Sequence, residues 1–450
     1  MDDLHREKKG GLEIAIILAV FLITYIASEI YQPQITLNKG QSFDGVFYYQ
    51  VANQISKGLK IRSEGPFVYR IGTPFLVSVF FKNDLLYGFK VINIIANLFS
   101  TILFIFWLRL FLKDWRIRSI LVILFITAWH GPVRFTIYDP TYTDPWLFVI
   151  LLIGLILIEQ VKRLVKKNHS SAGPSNWSLI KVSIILIVCV GLISFIGVFF
   201  REVVLIIPVA LVFITNPIPH IHEVIHPLAY GQLKKMLKKP FYLSIFPLLM
   251  GIAAIFLVRS VASQNNDYSF IKTARDWAYE KPALTYLHAY FITFGPLILV
   301  PVYFWRRTLN FLRNNQHLQI FLAIFLILAW IGGSDTERFL FWAMPVFYLL
   351  IGIVIVENIN LFKSPLLILL LVGSSICSLR LFWIVADYPN SFVTPFPILS
   401  ILSNKFQYLD LWSYFANRSI QVKSLAEYLL LSGVILVWFQ RRMDKITSVT

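Results

Sequence analysis

Apolar runs of about 17 residues or more recur along nearly the whole 450-residue chain, each long enough to cross roughly 30 Å of hydrocarbon. Hydrocarbon offers no water to the backbone, so a chain that enters it repeatedly must close its own hydrogen bonds as helices. Composition agrees: 57% of the residues are hydrophobic and 14% charged, where soluble domains carry about 25% charged residues. The first run, Leu12 to Ile30, follows Arg6, Lys8 and Lys9. It is longer than a secretory apolar segment and lacks a small-residue cleavage site, so it reads as a retained first helix. Cys189 and Cys377 both fall inside apolar runs, which argues against a disulfide framework.

The spans read as 12–31, 88–111, 119–133, 145–160, 178–199, 202–215, 241–261, 284–304, 318–332, 339–356, 365–386 and 424–440. The expected fold is therefore an all-α polytopic membrane protein of about 12 transmembrane helices (11–13), a single domain over 1–450. More than half of the 41 basic residues then fall in short loops on one side, among them Arg116, Arg118, Lys166, Lys167, Lys234 and Lys235. The positive-inside rule puts that side, with both termini, in the cytoplasm. Most of the 24 acidic residues gather at the outer ends of the spans, which insertion alone does not require. The outer segments are also the long ones, the first over 32–87 and the last over 387–423. Within the first, Pro66 to Phe81 is short and Pro-broken for a span and is expected to lie in the interface as a helix or to re-enter. The net charge of +17 fits basic loops against anionic headgroups. No basic and aromatic groove outside the spans points to nucleic acid.

The span interiors are nearly free of ionisable groups, unlike transporters and flippases, whose sites sit near the midplane. The polar groups collect at the outer ends instead. They are Asp44 in Asp-Gly-Val-Phe-Tyr-Tyr49, Tyr69-Arg70, Asp139 and Asp144 in Asp-Pro-Thr-Tyr-Thr-Asp-Pro145, Arg201-Glu202, and Ser334-Asp-Thr-Glu-Arg338. An ionised side chain at that depth needs a partner or a function. His222-Glu-Val-Ile-His226 matches the zinc-protease pattern H-E-x-x-H, but Pro219 and Pro227 leave it barely two helical turns and place it in a cytoplasmic loop.

The order of the outer features resembles the GT-C class of membrane glycosyltransferases, which take sugars from polyprenyl-phosphate donors. The matching features are an acidic residue soon after the first span (Asp44) and a semi-apolar helix around Tyr69-Arg70. An acidic cluster in the second outer loop (Asp139, Asp144), a basic-acidic pair at a helix end (Arg201-Glu202), and a late Arg338-Phe-Leu-Phe-Trp-Ala-Met-Pro345 element complete the set. The resemblance covers roughly residues 10 to 356, without an Asp-x-Asp or Glu-Asp pair in the first loop. It implies an outward-facing hexosyltransferase of the plasma (inner) membrane. Its partners would be a polyprenyl-phosphate sugar and a glycan, lipid or protein acceptor.

The chemistry suits the residues independently. A carboxylate at the membrane face can take the acceptor hydroxyl's proton, and Asp44 is the expected base. Guanidinium forks match phosphate oxygens, so Arg201 and Arg338 are the expected donor-phosphate ligands. Glu202 and Glu337 are expected to neutralise those arginines when no donor is bound. Asp139, Asp144, Glu202, Tyr69 and Arg70 are expected to orient the acceptor; a divalent cation is the one cofactor the acidic cluster could hold. The bland readings are an Asp-Gly turn at Asp44, a helix cap at Asp144 and a polar hinge at Arg201-Glu202. Competing functions are a polysaccharide ligase or polymerase, a lipid or polysaccharide flippase, and a membrane metalloprotease.

Overall fold

The computed structural model describes residues 2–170, 177–215, 240–378, 384–392 and 406–447. Within them the chain is almost wholly helical. Its main helices are α1 (Asp2–Tyr31), α2 (Gly45–Ser56), α3 (Gly72–Phe80), α4 (Leu85–Arg109), α5 (Trp115–Thr127) and α6 (Pro132–Tyr138). Next come α7 (Asp144–Ser170), α8 (Trp177–Phe200), α9 (Ile206–Thr215), α10 (Pro240–Val261), α11 (Phe270–Glu280) and α12 (Ala283–Phe294). The last are α13 (Trp305–Arg313), α14 (Gln316–Ile331), α15 (Thr336–Trp342), α16 (Met344–Glu357), α17 (Pro365–Ser378) and α18 (Arg418–Thr447).

Seven helices among the described residues are long and apolar enough to cross a membrane, and two bent helix pairs raise that to nine. Their outer faces are bare of protein: Ile23 on α1, Phe256 on α10 and Leu430 on α18 are each about two-thirds exposed or more. A soluble fold would bury such side chains, whereas lipid tails solvate them. The chain is thus a multi-pass integral membrane protein. At its centre lie α7 and α16, where Leu151, Leu152, Leu155, Tyr348, Leu349 and Ile351 are fully enclosed. A helix apolar all round, such as α16, belongs inside a bundle.

The dozen spans expected from the sequence differ in two places, and residues 379–383 of a third, 365–386, lie outside the described residues. The stretch Glu202–Ile214 is shorter than the roughly 20 residues a crossing needs. The expected span 365–386 is described as helix only to Ser378. The spans 318–332 and 339–356 belong to bent pairs: α13 meets α14 at 116°, and α15 meets α16 at 61°. At the second bend Pro345 stands in the first turn of α16, where it has no N–H to continue the helix backwards. The bend turns α15, with Arg338, across the end of the bundle. The helix α3 has 9 residues and spans about 14 Å, so it cannot cross. Phe75 and Phe80 give it an exposed apolar face, as an interfacial segment requires.

Both ends of the bundle are tied, one by charge and one by a pair of strands. At one, the fully buried Glu13 of α1 receives Arg109 of α4 and Arg118 of α5, each at 2.7 Å. At the other, strands β1 (Ile61–Ser63) and β2 (Ala262–Gln264) pair in parallel, Ile61 opposite Ala262. That pairing fastens the connection after α2 to the end of α10. Three connections, 37–80, 262–280 and 406–417, fold over this end and enclose a cavity.

Candidate active site

The cavity has a volume of about 1120 Å³, and its walls include Asp44, Arg70, Asp139, Arg201, Glu202 and Arg338. All but one of the site residues expected from the sequence therefore line one space, Tyr69 included. The exception, Asp144, lies directly behind it, with no exposed surface.

Asp144 is the structural centre. It opens α7 and receives five donors on its two oxygens. Arg338 gives it a two-pronged contact, Nε to Oδ2 at 2.8 Å and Nη2 to Oδ1 at 3.0 Å. Arg201 Nη1 approaches Oδ1 at 2.7 Å. The Trp342 indole N–H at 2.6 Å and the Tyr142 hydroxyl at 2.7 Å donate to Oδ2. Each guanidinium also lies over an aromatic ring at 4.7 Å, Arg201 on Trp342 and Arg338 on Tyr142. One buried carboxylate thus holds two arginines in a dry site, where charge-assisted bonds are strongest.

The expected pairing of the arginines is corrected here. Glu202 does not neutralise Arg201; it takes the fork of Arg70, at 2.6 and 3.1 Å. Glu337 does not reach Arg338 but turns away from the cavity to accept the Ser413 backbone N–H. Ser413 in turn meets His288 Nδ1 at 3.1 Å, so Glu337 and His288 latch the segment 406–417 over the cavity. The reason is direction: Glu337 neighbours Arg338 on a helix, so their side chains leave α15 on different faces.

Asp44 stands just before α2 and makes no side-chain capping bond, so the helix-cap duty leaves its carboxylate free. Its Oδ2 lies 3.7 Å from Arg338 Nη1, and Asp335 Oδ2 shares that same nitrogen at 3.2 Å. The Asp44 side chain is 44% exposed, opening onto the cavity within the enclosure formed by the connections over this end. That enclosure, and then the neighbouring Asp335 charge, push its carboxyl up to about 6, against the pull of Arg338 and Arg70. Gly45 makes the arrangement possible. A Cβ there would stand 1.7 Å from Thr141 Oγ1, so only glycine lets the start of α2 lie against the 139–144 loop. Asp139 is held in that loop by the Thr141 hydroxyl at 2.8 Å and the Thr141 N–H at 3.2 Å. Burial nevertheless raises its carboxyl above the usual range.

Reasoning from sequence overlooked Tyr48. Its hydroxyl oxygen accepts from Arg70 Nη1 at 3.2 Å and Arg201 Nη2 at 3.3 Å. Burial pushes the phenol up, but Arg70 and Arg201 more than reverse it, leaving it below its ordinary value. The signal was present: Tyr48 follows Asp44 by four residues, one helical turn along the same face.

No family model, curated protein or solved structure matches the chain. Among the described residues no group of three or more His, Cys, Asp or Glu is arranged to hold a metal. His222, Glu223 and His226 lie outside the described residues, as do 393–405 of the last long connection.

The cavity lining is mixed. Asp44, Asp139 and Arg338 line it with the aromatics Phe135, Tyr142, Trp342 and Trp412. Val198, Leu205, Ile255, Val258 and Leu328, from α8, α10, α14 and the turn before α9, add apolar surface, with Arg201, Glu202 and Arg259 on the same elements. The arrangement offers proton acceptors, fixed positive charge and apolar surface within one space.

Proposed function

We propose that the chain is a membrane glycosyltransferase of the GT-C kind, which moves a sugar from a polyprenyl-phosphate donor to an acceptor hydroxyl on the outer face. One observation carries the reading. Asp44, Asp139 and Arg338, far apart in sequence, meet in a cavity that is also lined by apolar residues of α8, α10 and α14. A lipid-linked sugar is a substrate class that uses both the charged and the apolar lining. In this reading both termini lie in the cytoplasm, and the cavity opens outward.

Asp44 takes the proton of the acceptor hydroxyl. The acceptor oxygen then bonds to the sugar's anomeric carbon as the carbon–oxygen bond to phosphate breaks, and that electron pair leaves with the phosphate. A carboxyl whose proton affinity lies near 6 suits a general base, being ionised at neutral pH yet more basic than a free aspartate. Arg338 keeps its Nη1 edge toward Asp44 while Asp144 fixes the rest of its fork, so it supplies positive charge where the phosphate departs. Arg201 acts through Asp144 and Tyr48, and Asp139 and Arg70 orient the acceptor around Tyr48. Aromatic faces such as Trp412 suit the apolar faces of sugar rings.

The test is lipid-phosphate release by the purified protein from a panel of polyprenyl-phosphate sugars. Asp44→Asn keeps shape and removes the proton acceptor, so turnover should fall on the order of 10²–10⁴-fold while the protein stays folded. Full activity in Asp44→Asn overturns the assignment of the base. Absence of release from every donor overturns the reaction.

A further inference from the structure

Three of the four arginines on the cavity wall are already neutralised. Arg70 is held by Glu202, Arg201 by Asp144, and Arg338 by Asp144 and Asp335. Their forks are filled by carboxylates, so an incoming anion would have to displace a bonded partner or settle for a single N–H. Arg259 differs. It stands on the last turn of α10 and on the cavity wall, and no carboxylate among the described residues pairs with it. Its guanidinium carbon lies 5.3 Å from the centre of the Tyr69 ring, a contact that steadies the side chain without neutralising it.

The position of Arg259 is as telling as its charge. Ile255, one turn back along the same helix, and Val258, immediately before Arg259, line the cavity together with Leu205. The polar groups of Tyr69, Gln264 and Tyr268 line it as well. A hydrocarbon chain lying along Ile255, Val258 and Leu205 would bring an anionic headgroup within reach of Arg259. The sequence carries a matching anomaly: Arg259 sits at the end of its span opposite the basic loops, where the positive-inside pattern supplies no reason for it.

We propose that Arg259, steadied on the face of Tyr69, receives the phosphate of a lipid phosphate whose chain lies along Leu205, Ile255 and Val258. The proposal rests on the lipid-phosphate reading above and refines it. The headgroup is captured at Arg259, and the already paired Arg201 and Arg338 serve the reacting centre. The free fork of Arg259 can meet two phosphate oxygens at once, which a bonded Arg338 cannot.

The experiment measures binding without transfer, by equilibrium dialysis of the full-length purified protein with farnesyl monophosphate. Farnesol and inorganic phosphate are run as separate arms. Wild type should bind farnesyl monophosphate more tightly than either. Arg259→Gln should weaken that binding by about tenfold to a hundredfold, the worth of a charge-assisted hydrogen bond. Arg259→Lys should lie between, and farnesol binding should not change. Equal farnesyl-phosphate affinity in wild type and Arg259→Gln overturns this assignment and leaves the proposed transferase standing. Equal weakening for farnesol would make Arg259 a shaping residue of the groove and also overturn it. Inorganic phosphate binding as tightly as farnesyl monophosphate would overturn the lipid part. Absence of farnesyl-phosphate binding by wild type overturns both the assignment and the lipid-phosphate reading. Weakened binding in Arg259→Gln with no sugar transfer from any donor would leave the site standing and remove the transferase.

Discussion

The base assignment makes a demand on a residue that does no chemistry itself. Asp335 and Asp44 both reach Arg338 Nη1, at 3.2 and 3.7 Å, so their oxygens are at most about 7 Å apart. Two unit charges at about 7 Å interact by roughly 0.6 kcal/mol at the dielectric of water and by about 2.4 kcal/mol at an effective value near 20. The partial exposure of Asp44 to cavity water favours the lower part of that range. At 1.36 kcal/mol per pH unit, Asp335→Asn should lower the proton affinity of Asp44 by about 0.4 to 1 unit. The sign follows from the charges: removing a like charge stabilises the ionised carboxylate, and Arg338 is freed to approach it. The ionised form is the active base, so wild-type activity should rise with pH through about 6. In Asp335→Asn that rise should move to lower pH while the high-pH rate stays within a few-fold. The assay is lipid-phosphate release between pH 4 and 8. An acid limb that stays in place, or moves upward, refutes Asp44 as the group being titrated.

Three further outcomes follow from the geometry. Gly45→Ala drives a methyl group into Thr141 Oγ1, 1.7 Å from an ideal Cβ, and should cost about 1–3 kcal/mol, read as a lower Tm; an unchanged Tm would show that the 139–144 loop does not pack on α2. Asp144→Asn leaves two buried guanidiniums without their counter-charge and should destabilise by about 3–5 kcal/mol. It should therefore fail in expression or monodispersity where Asp44→Asn succeeds, and a stable Asp144→Asn would contradict its place at the centre of the site. Cysteine at exposed Lys60, on the cavity end, should react with an impermeant thiol reagent added to intact cells, whereas cysteine at exposed Arg306 should not; the reverse pattern inverts the topology.

What could be read in the sequence was whatever depends on neighbours along the chain. The apolar runs gave a helical membrane protein because helix length against bilayer thickness is a local property. The clustering of Asp44, Asp139, Arg201 and Arg338 at span ends was visible for the same reason. Tyr48 was within reach through its one-turn spacing from Asp44, and Arg259 through its place against the charge bias. Two things were decided only in three dimensions. One is the bending of the late spans, where the 116° and 61° breaks depend on how α13 to α16 pack. The other is who pairs with whom. Asp144 and Arg338 are 194 positions apart, Arg70 and Glu202 132, and adjacency suggested other partners for each. A charge in a low-dielectric site takes the partner that the fold brings within about 3 Å, and sequence distance does not enter that energy.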